Sequence, residues 1–151
     1  MIVSDSTTLI ILFDLQKIDL LSNLFKKVYI PSAVFKEISY QSNIDLPSFM
    51  EVLHVEDTEL LHSLTNILDI GESEAITLAK EKKLPLIIDE KKGRKIAQNM
   101  DIKIIGLLGI IYLNIKKEFI SKKEAFSFLH VAIENGYRIN QKLIDDMMEN
   151  L

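Results

Sequence analysis

The sequence predicts an α/β fold: a central, mostly parallel sheet of about four to five short strands with helices on both faces. Three observations lead there. Residues 69–105, DIGESEAITLAKEKKLPLIIDEKKGRKIAQNMDIKII, read as helix, strand, helix, strand. The apolar run Leu86-Ile87-Ile88 lies between Pro85 and Asp89, and such a run suits a strand buried on both faces of a parallel sheet. Two more short apolar runs, at residues 1–4 and 28–30, each lead directly into a helical pattern. Strands alternating with helices at this spacing form βαβ units, whose crossovers are right-handed.

The elements follow in order. Residues 1–4 form the first strand, which ends at Asp5-Ser6-Thr7-Thr8, the composition of a helix N-cap. Short helices are expected at 9–13 and 16–24, the second with Ile18, Leu21, Leu24 and Phe25 on one side. Val28-Tyr29-Ile30 is the second strand, and Pro31 suits the first turn of a helix at 32–40 that carries Val34, Phe35 and Ile38. Residues 41–47 are polar and read as a loop, and 50–55 alternate like a short edge strand. Leu60, Leu61, Leu64 and Leu68 place a helix at 57–68. Gly71 opens the next, with Ala75, Ile76, Ala79 and Leu84 on its apolar side, and another helix spans 90–99. Lys103-Ile104-Ile105 is the following strand, stopped by Gly106. The helix at 107–117 is apolar almost all round and should be well buried. Ser121 and Glu124 form a capping box for a helix at 121–134 that Asn135-Gly136 ends. Asn140 caps a last helix containing Leu143, Ile144, Met147, Met148 and Leu151.

At 151 residues and 48% apolar, the chain suits one domain with a real core, on which residues 121–151 pack, and not a disordered segment. It has no cysteine, which removes disulfides, zinc–thiolate sites and thiol nucleophiles. The opening MIVSDSTTLIILF lacks the basic region of a signal peptide, and no apolar stretch is long enough to span a bilayer, so a cytoplasmic location is expected. A net charge of −4 is not that of a chain that holds nucleic acid by bulk electrostatics. A metal-dependent nuclease, however, places acids around its metals and meets phosphates with local basic patches. One such patch, Lys91, Lys92, Arg94 and Lys95, lies beside Asp89; the other lysine pairs read as solvated surface.

His54, His62 and His130 lack metal-ligand spacing, and there is no nucleophile elbow or phosphate-binding glycine loop. What remains is a set of acids: Asp5, Glu37, Glu72, Glu74, Asp89 and Glu90. Asp5 and Asp89 fall at strand carboxyl ends, where open α/β sheets bind ligands. Glu37 lies in a helix directly after a strand, and Glu72 and Glu74 are expected in a first helical turn. Carboxylates brought together repel unless a proton or cation joins them, and an all-oxygen set suits Mg²⁺ or Mn²⁺. Acids also favour helix amino ends through the dipole, so capping and ligation both stand as readings.

Four segments together resemble the motifs of PIN-domain proteins, in particular the short prokaryotic PIN-like toxins of type II toxin–antitoxin pairs, VapC-like in kind. IVSDSTTLI resembles the first motif, IPSAVFKEI the second, GESEAITLA the third and LIIDEKKGRKIA the fourth, and the closing ENGYRINQKLIDDMMENL is similar to the tail of these proteins. The resemblance covers most of the chain. It implies a PIN-like three-layer sandwich and a metal-dependent endoribonuclease inhibited by a small antitoxin. It further implies that Asp5, Glu37, Glu72 and Asp89 hold one or two Mg²⁺ or Mn²⁺ ions, with Glu74 as a neighbouring candidate. The G-E-x-E-A pattern is also similar to that of flap endonucleases, where both glutamates serve the metals. Ser6 or Thr7 would orient a ligand or a water, and Lys91, Lys92 and Arg94 would meet the RNA backbone. The chain departs from many toxins in carrying Glu72 where they have Asp, and Asp89-Glu90 where they have Asn and Asp. A homodimer is expected from the general habit of small domains. The alternative is a PIN-like module that binds nucleic acid or protein without cleaving. A receiver-like phosphoacceptor domain is weaker still, because Lys103 precedes a strand rather than following one.

Overall fold

A computed structural model describes residues 1–40 and 43–151, so Gln41 and Ser42, the start of the expected loop, lie outside the described residues. The strands are β1 (Ile2–Ser4), β2 (Val28–Pro31), β3 (Met50–Leu53), β4 (Leu86–Ile87) and β5 (Ile104–Ile105). They form one sheet in the order β3-β2-β1-β4-β5, parallel at every pairing. Val3 stands opposite Tyr29 on one side and Leu86 on the other, so β1 is central. The helices are α1 (Ser6–Asp14), α2 (Asp19–Ser22), α3 (Ser32–Ser39), α4 (Glu59–Thr65), α5 (Ile70–Lys82), α6 (Lys91–Asn99), α7 (Leu107–Lys116), α8 (Lys122–Glu134) and α9 (Gln141–Glu149). The fold is a three-layer α/β sandwich with the sheet as its middle layer.

Successive residues of a strand point to opposite faces, and this divides the interior in two. Ile2, Val28, Ile30 and Ile87 join one core with α1, α2, α3, α7, α8 and α9. Val3, Leu86 and Ile88 join the other with α4, α5 and α6. Both faces being covered, the inner strands need few polar positions, which is why Leu86-Ile87-Ile88 reads as an unbroken apolar run, while the edge strand β3 keeps the exposed Glu51.

Several boundaries differ from expectation. α1 begins at Ser6, directly after β1, and not at residue 9. The expected helix at 16–24 shrinks to the single turn α2. Lys83, in the left-handed region at φ 55°, ends α5 before Leu84. Within α7, Asn114 is fully buried: its Nδ2 donates to the carbonyls of Leu20 (3.0 Å) and Ile110 (2.8 Å), and its Oδ1 accepts from Asn23 (2.9 Å). The capping box of Ser121 and Glu124 forms as expected. No helix among the described residues is long and apolar enough to cross a membrane.

Candidate active site

All strands being parallel, their carboxyl ends share one edge of the sheet. β1 delivers Asp5 there and β4 delivers Asp89. α3 starts where β2 ends and brings Glu37 one turn in. α5 leads into the start of β4, so it runs against the strands and its amino end returns to the same edge, bringing Asp69 and Glu72. Topology thus gathers acids that are far apart in sequence.

Asp5 is 3% exposed, and although it occupies the N-cap position of α1 its side chain makes no capping bond. Its Oδ1 has no hydrogen-bond partner. Burial pushes its pKa up from 3.8 to about 7, the charges of Glu37, Asp69 and Asp89 adding to the effect while the Ser6 amide opposes it. Glu72 is 8% exposed with Oε2 unpartnered. Burial, then hydrogen bonds to the carboxyls of Asp69 and Glu90, then the charges of Asp69 and Asp5, raise it from 4.5 to about 9. Both acids therefore hold protons at pH values where an ordinary carboxyl is ionised.

Glu37 lies at the rim. Its Oε2 accepts from the Ser6 hydroxyl at 2.7 Å, and its carboxylate rests on Gly71, where a β-carbon would collide with Oε1. Burial and Asp69 raise its pKa against the Ser6 bond. Asp89 is pinned twice: Oδ1 accepts from the Leu107 amide at 3.1 Å, and Oδ2 accepts from the Thr8 hydroxyl. Ser6 thus touches the acid set as expected, but Thr7 is exposed and the second hydroxyl is that of Thr8. Ser6 and Thr8, two residues apart, leave the first turn of α1 on different sides, so Ser6 meets Glu37 and Thr8 meets Asp89.

Glu90, Glu74 and Arg94 are engaged elsewhere. Glu90 caps α6, its Oε2 accepting from the Gly93 amide at 2.6 Å and its Oε1 from Lys92 at 3.0 Å. These bonds and the one to Glu72 hold its pKa below the usual range although burial opposes them. Glu74 lies in the second turn of α5 rather than the expected first, and its Oε1 accepts from the Ala33 amide at 3.1 Å. Arg94, expected to face RNA, donates from Nη1 to the Ile88 carbonyl at 2.7 Å and packs against Gly106. Lys91 and Lys92 are exposed in the first turn of α6, beside Asp89.

Sequence reasoning missed two participants. Asp69 caps α5 by accepting from the Glu72 amide at 2.8 Å, and its charge acts on Asp5, Glu37 and Glu72. An Asp three residues before a Glu at a helix start signals that cap, but nothing local signals its approach to Asp5. Thr8 was the other. Beyond Glu37 a groove of about 740 Å³ passes Ile10, Phe13 and Ile38 to Tyr137. The Tyr137 hydroxyl donates to Asp14 at 2.6 Å, and burial followed by that carboxylate raises it to about 12.

The donors at this edge are all hard oxygens, and two of them are buried without a partner, which fits a divalent cation of the Mg²⁺ or Mn²⁺ type. Among the described residues no three Asp, Glu or His side chains stand close enough to grip an ion as placed. Raised pKa values and hydroxyl contacts keep the acids compatible without one. A family model, DUF3368, described as a PIN domain, matches residues 1–151. No curated protein matches the chain, and neither does any solved structure.

Proposed function

The chain belongs to the PIN-domain family, a nuclease-type fold, and from that premise we propose that it is a metal-dependent endoribonuclease hydrolysing RNA phosphodiester bonds. The observation that carries the proposal is the pair of unpartnered carboxylate oxygens on Asp5 and Glu72, each more than nine-tenths buried, at the carboxyl edge of the sheet. Burying a carboxylate oxygen without a partner is costly, and a fold bears that cost most readily where a ligand completes the site.

In this reading Asp5, Glu37, Glu72 and Asp89 hold one or two Mg²⁺ or Mn²⁺ ions. An ion held there would supply a more acidic bound water and positive charge opposite the reacting phosphate. Asp5 and Glu72 release their protons as the site fills. The Ser6 and Thr8 hydroxyls hold Glu37 and Asp89 in place. Lys91 and Lys92 meet the RNA backbone, contributing affinity rather than sequence choice. They sit at a helix amino end, where the dipole disfavours cations, and an anionic partner removes that penalty. Arg94, tied to Ile88, steadies the end of β4 and keeps further N–H groups for a phosphate. We place the chain in the cytoplasm as a homodimeric toxin kept in check by a small antitoxin protein.

Cleavage of a mixed RNA pool by the purified protein, freed of co-purifying protein, tests this with Mn²⁺, Mg²⁺ or EDTA beside Asp5→Asn. Cleavage should require the cation and fall at least about 100-fold in the variant. Equal cleavage by both proteins would end the proposal. Cleavage by neither, with no cation bound, would leave the binding-module alternative.

A further inference from the structure

α3 begins with an unmet need. Its N-cap is Pro31, which has no side-chain acceptor. The first turn of any helix leaves its N–H groups without intrahelical partners. Ala33, in that turn, is 8% exposed, so water is a poor partner for its amide. The acceptor present is Glu74 Oε1, 3.1 Å away on α5. A carboxylate at a helix amino end also faces the positive end of the dipole, which strengthens the bond.

A second contact joins the same two helices. The Glu37 carboxylate lies on Gly71, where no β-carbon fits. Gly71 and Glu74 are one turn apart on α5, and Glu37 and Ala33 are one turn apart on α3. The pairs Glu74–Ala33 and Gly71–Glu37 therefore run antiparallel, in register, along one helix contact. Fastening one end sets the other.

We propose that Glu74 is a positioning residue: it caps α3 from a neighbouring helix and so holds Glu37 at the acid edge, without itself ligating the cation. This rests on the reading that Glu37 helps to hold that cation. It assigns the second glutamate of the G-E-x-E-A segment to the scaffold instead of to the metals. Gln at this position keeps an oxygen able to accept from the Ala33 amide, whereas Ala has none and Asp is one methylene too short.

The test compares the full chain with Glu74→Gln, Glu74→Asp and Glu74→Ala, reading hydrogen exchange at the Ala33 amide and calorimetric Mn²⁺ affinity. Glu74→Gln should keep Ala33 protected and the affinity within about twofold. Glu74→Ala should lose the protection and weaken Mn²⁺ roughly fivefold or more, the scale of a lost helix cap. Glu74→Asp should fall between them, and it carries the comparison if the Ala variant does not fold. Loss of Mn²⁺ binding in Glu74→Gln as complete as in Asp5→Asn would make Glu74 a ligand and overturn the proposal. An unchanged Ala33 amide and unchanged affinity in Glu74→Ala would overturn it too. A wild-type chain that takes up no Mn²⁺ would sink the cation reading alone. Ala33 exchange would then decide the cap by itself, its loss in Glu74→Ala supporting the assignment and its persistence rejecting it.

Discussion

Asp5 and Glu72 bind protons far above the range of ordinary carboxyls, and this couples the site to stability. In the unfolded chain they would release those protons near 3.8 and 4.5; folded, they keep them to about 7 and about 9. Between the two values the folded state binds more protons than the unfolded one, so stability falls as pH rises. The stabilisation is full below about pH 4 and is lost through pH 7 for Asp5 and pH 9 for Glu72. Thermal denaturation in EDTA should therefore show a melting temperature that drops from pH 5 to pH 9. Glu72→Gln should flatten that drop and raise the melting temperature at pH 9, because the cost of ionising this buried carboxyl is removed. A profile that rises over this interval would contradict the account of these two groups.

Helices, more than strands, carry the polar contacts that arrange this molecule. Asn114 ties α7 to the α2 region through Leu20 and Asn23 while it also bonds back to Ile110. Removing its amide would leave buried partners unsatisfied, at about 1–3 kcal/mol for such a group. Asn114→Ala should lower the free energy of urea unfolding by at least about 2 kcal/mol, and a loss within 0.5 kcal/mol would show that water replaces the bonds. The sequence pattern hid this contact. Residues 107–117 are apolar almost all round, and nothing in that pattern marks the one amide among them as a bonding centre. α2 is shorter than its pattern for a related reason: the apolar side formed by Ile18, Leu21, Leu24 and Phe25 persists, but the helix itself spans only Asp19–Ser22, and Ile18, Leu24 and Phe25 pack on the core beyond its ends.

For the molecule as a whole, the parallel sheet was legible because burial on both faces leaves a mark in the chain itself, as in Leu86-Ile87-Ile88, whose residues alternate between the two cores. Acids that directly follow strands, Asp5 and Asp89, were legible for the same reason: neighbourhood in sequence is neighbourhood at the edge. Contacts set by how distant helices cross were not. Glu74 reaches Ala33, 41 residues earlier, and Thr8 rather than Thr7 meets Asp89, because packing and helical phase choose those partners. The central claim is that the gathered acids form a cation site held ready by protons. Calorimetric titration of Mn²⁺ at pH 7, repeated in buffers of different ionisation enthalpy, tests it most directly. The account predicts binding that expels about one proton or more per site, because Glu72 with a pKa of about 9 and Asp5 at about 7 must ionise, and loss of that binding in Asp5→Asn. No binding by the wild-type chain, or binding without proton release that survives Asp5→Asn, would contradict it.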